Sequence, residues 1–153
     1  MLQVKSGWLA YIAAVVMGAA ALAVQAEGEM KPFILASTAS GDIADQIDGV
    51  KSALGDKGFE VVGEYSPYPA AHIIVVTNEA LKKAAASHDR AGYVAAQRVT
   101  ITKVGDQVQL AYTNPVYMGA AYRVKDDLSG VADALEAALG AEKEYGPEEG
   151  LTA

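Results

Sequence analysis

Residues 93–113, YVAAQRVTITKVGDQVQLAYT, contain two segments in which apolar and polar side chains alternate. Val99 and Ile101 fall on one face of an extended chain, and the threonines that follow them fall on the other. This period of two residues is typical of a strand with one buried face. A Gly-Asp pair at positions 105–106 separates the segments and is a common turn between paired strands. The stretch therefore predicts an antiparallel hairpin, and with it a sheet.

Helices and further strands are predicted around this hairpin. Apolar residues recur every three or four positions in two segments, which is the spacing of a helix with one buried face. They are Ile43, Ile47, Val50 and Leu54 in the first segment, and Leu128, Val131, Leu135 and Leu139 in the second. Asn78 is a suitable N-terminal cap for an alanine-rich helix over residues 79–88. The predicted strands are 33–36, 59–65, 72–77, 93–103 and 107–113.

The order of these elements is strand, helix, strand, strand, helix, strand, strand, helix, which indicates an α+β fold. We expect an antiparallel or mixed sheet of about five strands, covered by helices mainly on one face. Prolines at positions 67 and 69 are expected to end the second strand, because proline cannot donate a hydrogen bond to a neighbouring strand. Residues 116–122 are expected to be a connector. Residues 141–153 are expected to be a polar, acidic tail that is mobile or awaits a partner.

Residues 1–26 have the pattern of a secretory signal peptide. Lys5 precedes an apolar run from Leu9 to Val24, and Ala26 offers a small residue directly before a polar sequence. We therefore expect cleavage after Ala26 and a periplasmic or secreted protein of about 127 residues, the size of one domain. The alternative is an uncleaved N-terminal membrane anchor, since the run is only slightly shorter than the roughly 20 apolar residues that cross a bilayer.

The composition excludes several kinds of chemistry. The chain has no cysteine, so it cannot form disulfides, use a thiol nucleophile or bind a metal through thiolates. It carries 12 basic and 19 acidic residues without a clustered basic face, so nucleic acid is not expected as a partner. No GxGxxG or GxxxxGK string occurs, which argues against nucleotide binding.

Four segments carry a family resemblance: GFEVVGEY at 58–65, SPY at 66–68, VVTN at 75–78 and YTNPVYM at 112–118. Together they resemble the domain-of-unknown-function 302 (DUF302) family, in its exported proteobacterial branch, over about residues 32–140. The resemblance implies a compact α+β domain that often forms dimers, and it implies no established reaction, cofactor or catalytic residue. Relatives in this branch continue well past the position of Leu151, which implies that this chain is shortened at its C-terminus.

Tyrosines are concentrated near two predicted strand ends. One group flanks the proline break, and the other lies in the 116–122 connector. If the two segments meet, their rings line a cleft suited to a small ligand with an apolar body and a polar or anionic end. The alternative is that these rings cover a sheet edge or a dimer contact, where tyrosine is common. The candidate ligand-binding residues are Tyr65, Tyr68, His72, Tyr112, Asn114, Tyr117, Met118, Tyr122 and Arg123.

The sequence contains no recognisable catalytic or metal-binding motif. His72 and His88 have no second ligand at metal spacing, so no metal or cofactor is predicted. A copper site that combines His72, Met118 and tyrosines is an alternative, because imidazole and thioether groups suit copper. No serine lies in a GxSxG motif, and Ser87-His88 is interpreted as ordinary helix sequence.

The absence of catalytic motifs favours a non-catalytic periplasmic module that works by association, as a homodimer or as a subunit with a periplasmic protein partner. A protein or enzyme that binds a small molecule in the tyrosine cleft is the first alternative. A carrier of copper or another metal is the second. Contact with a membrane is expected only if the signal segment stays uncleaved.

Overall fold

The structure, a computed structural model, describes residues 29–151, so the predicted signal peptide lies outside the described residues. Its strands pair in one six-stranded antiparallel sheet, in the order second, third, fourth, fifth, first, sixth. This arrangement confirms the predicted α+β class, with one strand more than expected. None of the helices within residues 29–151 could span a bilayer. The elements in chain order are β1 (Phe33–Ser40), α1 (Ile43–Asp56), β2 (Glu60–Tyr68), β3 (Ala71–Thr77), α2 (Glu79–Ala85), β4 (Gln97–Val104), β5 (Gln107–Thr113), α3 (Pro115–Ala121), α4 (Ser129–Leu139) and β6 (Lys143–Tyr145).

The predicted hairpin is confirmed as β4 and β5, with Val104 opposite Gln107 beside the turn. The segment before β4 differs from the prediction, because Ala91–Val94 form a 3-10 turn and the strand begins only at Gln97. The helix predicted over residues 79–88 ends at Ala85. The alternation of apolar and polar residues that predicts a strand is clear only from Gln97 onward. Ala91 and Val94, the two buried residues of the 3-10 turn, are not part of a strand.

Helices cover one face of the sheet. The predicted apolar stripes of α1 and α4 face the sheet. Leu54, Leu81 and Leu135 are fully buried between the helices and the sheet. They pack in one cluster with strand residues such as Ile74 and Ile101, which are also fully buried. Each fully buried leucine of this kind contributes roughly 2 kcal/mol through removal of its apolar surface from water.

The opposite face of the sheet is not covered by α1, α2 or α4. Directly paired residues in antiparallel strands point to the same face. A row across this face therefore runs through Tyr65, Ile73, Thr100, Ala111 and Leu35 in β2, β3, β4, β5 and β1. We call this surface the open face; Gly63, Val75, Arg98, Phe33, Lys143 and Tyr145 belong to it as well.

The prediction that the prolines end the second strand at Tyr65 is wrong, because β2 continues through Pro67 to Tyr68. Two features permit this. The strand lies at the edge of the sheet, so only one of its sides needs hydrogen-bond donors. The register with β3 also shifts between Tyr65 and Tyr68, so that Pro67 lies in a bulge.

Two further elements were not predicted. Residues 116–122, expected as a connector, belong largely to α3, whose first turn is capped by the Asn114 side chain, with Pro115 at the first helical position. Within the polar tail, β6 pairs with the edge of β1, and Met30 forms an isolated bridge with Leu151. The expectation of a mobile tail is therefore wrong for these residues, because the free edge of β1 offers backbone partners.

Candidate functional site

The two tyrosine-bearing segments lie at opposite ends of the sheet. The turn after Tyr68 packs beside the β4–β5 turn, where the Lys103 amide donates to the Ala70 carbonyl at 2.9 Å. The α3 segment follows Thr113 at the far end of β5, because antiparallel neighbours begin and end at opposite edges. The predicted tyrosine cleft is therefore not formed. Tyr65 and Tyr68 are instead exposed on the edge strand.

Two of the candidate residues are buried and bonded within the protein. Tyr112 is 1% exposed and belongs to the core on the helical side, and its hydroxyl donates to the Gly140 carbonyl at 3.2 Å. Asn114 is also buried. Its Oδ1 accepts from the Val116 amide at 3.1 Å, and its Nδ2 donates to the Lys31 carbonyl at 3.0 Å. Both side chains use their polar atoms within the protein, so they are unsuited to hold a ligand.

Burial raises the pKa of Tyr112 to about 12. Since an unfolded tyrosine titrates near pH 10, the unfolded chain loses this proton first as the pH rises. The free energy of unfolding should therefore fall between about pH 10 and pH 12. We expect Tyr112→Phe to lower it by about 1 kcal/mol at pH 7, through the lost hydrogen bond, and to reduce this alkaline decline. Urea unfolding at pH 7 and pH 11 measures both; an identical alkaline decline in the two proteins would contradict the assignment.

The remaining candidates surround the far end of the sheet. Tyr122 stacks on Tyr93 with ring centroids 4.8 Å apart. The two rings, with Met118 and Arg98, line an open cavity of about 350 Å³ beside the open face. Tyr117 is half-buried on α3. Arg123 is exposed with a φ of 56°, and its carbonyl oxygen lies 3.1 Å from His88 Nε2.

The copper alternative is not supported by this geometry. His72 is the second residue of β3, at the end of the sheet near the β4–β5 turn, whereas Met118 lies beyond the opposite end of β5. Two ligands at opposite ends of a sheet cannot share one ion. Within residues 29–151, no three histidine or carboxylate side chains are grouped so as to hold a metal ion.

His72 instead forms part of a polar chain on the helical side of the sheet. Its Nδ1 lies 3.0 Å from Ser66 Oγ, and its Nε2 lies 3.5 Å from Glu64 Oε2. The Glu64 carboxylate in turn accepts two hydrogen bonds of 3.2 Å from Lys51 on α1. The Lys51 ammonium is the main reason that the pKa of Glu64 is lowered, so this carboxyl is ionised at neutral pH.

A cavity of about 370 Å³ adjoins this chain. Ser66 and His72 line one side, and the first turn of α1 lines another. Lys103 also borders it and binds the Asp42 carboxylate at 2.9 Å and the Gly41 carbonyl. Neither Ser66 nor Glu64 was among the predicted site residues, because the predicted strand stopped at Tyr65 and left Ser66 outside it, and no pattern singled out Glu64 within it. A strand drawn through Pro67 would have shown that Glu64 and Ser66 share a face, which is the available signal.

Comparison with known proteins supports the fold. No family model and no curated protein matches the chain. Among solved structures, it is similar to an uncharacterised conserved DUF302 protein from Bacillus stearothermophilus. The TM-score is 0.57 at 14% identity, over 69% of this chain and 95% of that chain. The likeness confirms the DUF302 fold that the sequence resemblance implies.

Proposed function

We propose that this protein is an exported module of the DUF302 type that works by association and forms a homodimer through its open face. The observation that carries the proposal is an uncovered sheet face with apolar and aromatic side chains. Phe33 and Tyr145 are 39% and 40% exposed, with ring centroids 5.5 Å apart. Tyr65 is 51% exposed on the same face, and Ile73 and Val75 are half-buried between them. Contiguous surfaces of this kind mark interaction sites.

The size of the open face supports a second copy as the partner. With strands about 4.8 Å apart and a rise of about 3.4 Å per residue, the five long strands present a flat area of about 600 Å². A standard interface buries about 800 Å² of accessible surface per partner, and a corrugated sheet has more accessible surface than its flat area. Two such sheets can pack about 10 Å apart with interdigitating side chains.

The charge of the open face also supports self-association. Among the residues named above for the open face, only Arg98 and Lys143 are charged; one carboxylate, that of Glu60, lies at the end of this face opposite Thr77 and is paired with Lys82. Depletion of charged residues is the compositional feature of interface centres. Export is supported by the apolar run from Leu9 to Val24 and the small residue at Ala26.

Sedimentation velocity of the mature chain, residues 27–153, tests the association. We expect a dimer at micromolar concentration and at least tenfold weaker self-association for Ile73→Lys, because each copy would bury an unpaired ammonium. Ser52→Lys adds the same charge on the exposed side of α1 and should leave the dimer unchanged. A wild-type protein that is monomeric at all concentrations, or equal effects of the two substitutions, would refute the proposal.

A further inference from the structure

We propose that Ser66, His72 and Glu64 form a nucleophilic acyl-transfer site that hydrolyses small esters bound in the adjoining cavity. This inference is independent of the association, because the site lies on the helical side of the sheet and the dimer surface on the other. Its elements are a serine hydroxyl 3.0 Å from an imidazole nitrogen and a carboxylate 3.5 Å from the other nitrogen. A nucleophile, a base and an orienting group in contact are the diagnostic arrangement of such sites.

Glu64 determines which nitrogen of His72 carries the proton. His72 is 13% exposed, and its Nε2 is buried without a hydrogen bond within the described part of the chain. The ionised Glu64 carboxylate faces this atom and favours the tautomer with hydrogen on Nε2. Nδ1 then keeps its lone pair and accepts the hydrogen bond of the Ser66 hydroxyl. This is the state that a general base requires.

The reaction follows from this arrangement. Ser66 Oγ attacks the ester carbonyl carbon while its proton moves to His72 Nδ1. The bond between that carbon and the alcohol oxygen then breaks, and the alcohol leaves with the proton from Nδ1. Water attacks the resulting acyl-serine and gives a proton to Nδ1. The carbon–Oγ bond breaks, Oγ regains the proton, and the carboxylic acid leaves. Ester and water are consumed, and alcohol and acid are formed.

The first turn of α1 is placed to stabilise the developing negative charge. Ile43 and Ala44 line the cavity, and the backbone amides of these first two helical residues have no partner within the helix, whereas the Asp45 amide is bonded to Asp42. These donors and the positive end of the helix dipole favour an oxyanion. Lys103 also borders this cavity, where its ammonium is paired with the Asp42 carboxylate at 2.9 Å. Ile47 and Pro69 provide apolar lining, so the cavity suits a short acyl chain.

Labelling with a fluorophosphonate, which reacts with base-activated serines, tests the nucleophile. We expect one adduct on the mature chain by intact mass, located on Ser66 by peptide mapping. Ser66→Ala should abolish the adduct, and His72→Gln should slow its formation about 100-fold. Ser87→Ala is the matched control, because Ser87 is exposed and precedes a histidine in sequence without lining this cavity; its labelling should equal that of the wild type.

Hydrolysis of p-nitrophenyl butyrate tests the positioning role of Glu64. Glu64→Gln should lower kcat with little change in KM, because the carboxylate fixes the tautomer of His72 and does not line the cavity, and Glu64→Asp should restore part of the loss. Circular dichroism and thermal melting verify that each variant is folded. Failure of the wild type to react with the probe, or labelling of Ser66→Ala at the wild-type rate, would overturn the proposal. An unchanged kcat in Glu64→Gln would overturn the role of that carboxylate.

Discussion

Replacing Gly140 with alanine is expected to lower the free energy of unfolding by about 3 kcal/mol. Gly140 follows α4 with φ 92° and ψ 172°, a backbone region that is nearly restricted to glycine. A Cβ atom at this position would lie 3.0 Å from the Ala36 carbonyl oxygen, which belongs to β1 and cannot easily move. The Gly140 carbonyl also accepts the Tyr112 hydroxyl, so any displacement disturbs the core.

Gly130→Ala provides the matched control for this prediction. Gly130 lies in the first turn of the same helix, and a Cβ atom there would meet nothing within 4 Å. Alanine should therefore stabilise the protein by about 0.5 kcal/mol through its higher helix propensity. Urea unfolding at one fixed protein concentration measures both variants, since self-association also shifts apparent stability. The same sign of change in both would contradict the role assigned to Gly140.

Leu135→Ala is expected to cost about 3 kcal/mol of stability, because it leaves a cavity at the centre of the helical layer. Leu135 is fully buried, on the stripe of α4 that also includes Leu128 and Val131. Removal of such a side chain loses both its transfer free energy and its packing contacts. Domains of this size have a total stability of about 5–15 kcal/mol, so the variant should unfold at markedly lower urea concentration.

Leu139→Ala is the control for Leu135, since the same change is made four residues later in α4, at a half-buried position. We expect a loss of about 1 kcal/mol there, because less apolar surface returns to water. The comparison uses midpoint and slope from urea unfolding followed by circular dichroism. Equal losses at the two positions would show that the core does not centre on Leu135.

The sequence predicts the elements whose residues repeat with a clear period. The alternation around Val99 and Ile101 gives the hairpin, and the stripes of α1 and α4 give the helices of the covered face. In these segments the side chains that pack are also the ones that form the pattern. The fold class follows from the order of such elements and needs no knowledge of their pairing.

The elements that the sequence misses depend on tertiary contacts or on weak local signals. Helix α3 has only seven residues and a glycine at position 119, so its sequence shows no apolar stripe. The Asn114-Pro115 pair, an N-cap followed by proline at the first helical position, is the signal that could have predicted this helix. Strand β6 has three exposed residues and exists because β1 has a free edge. Neither property can be derived from hydrophobic periodicity.

The candidate site was predicted only in part, because its residues come together through strand register. The expected convergence of the tyrosines needed both loops at one end of the sheet, and the antiparallel order places them at opposite ends. Of the predicted residues, Met118 and Tyr122 share a cavity, and His72 belongs to another group altogether. The contact between Ser66 and His72 follows from the register in which Tyr65 lies opposite Ile73, which sequence pattern does not reveal.

The pairing of Met30 with Leu151 gives the domain a mechanical property. The Met30 amide donates to the Leu151 carbonyl at 2.8 Å, and the Leu151 amide donates to the Met30 carbonyl at 3.0 Å. Both ends of the described chain therefore emerge at one corner, beside the antiparallel β1–β6 pair. A force that pulls these ends apart acts along the hydrogen bonds, which lie perpendicular to the strands. The bonds would then break one after another, so β6 should peel away at low force before the five-stranded core yields.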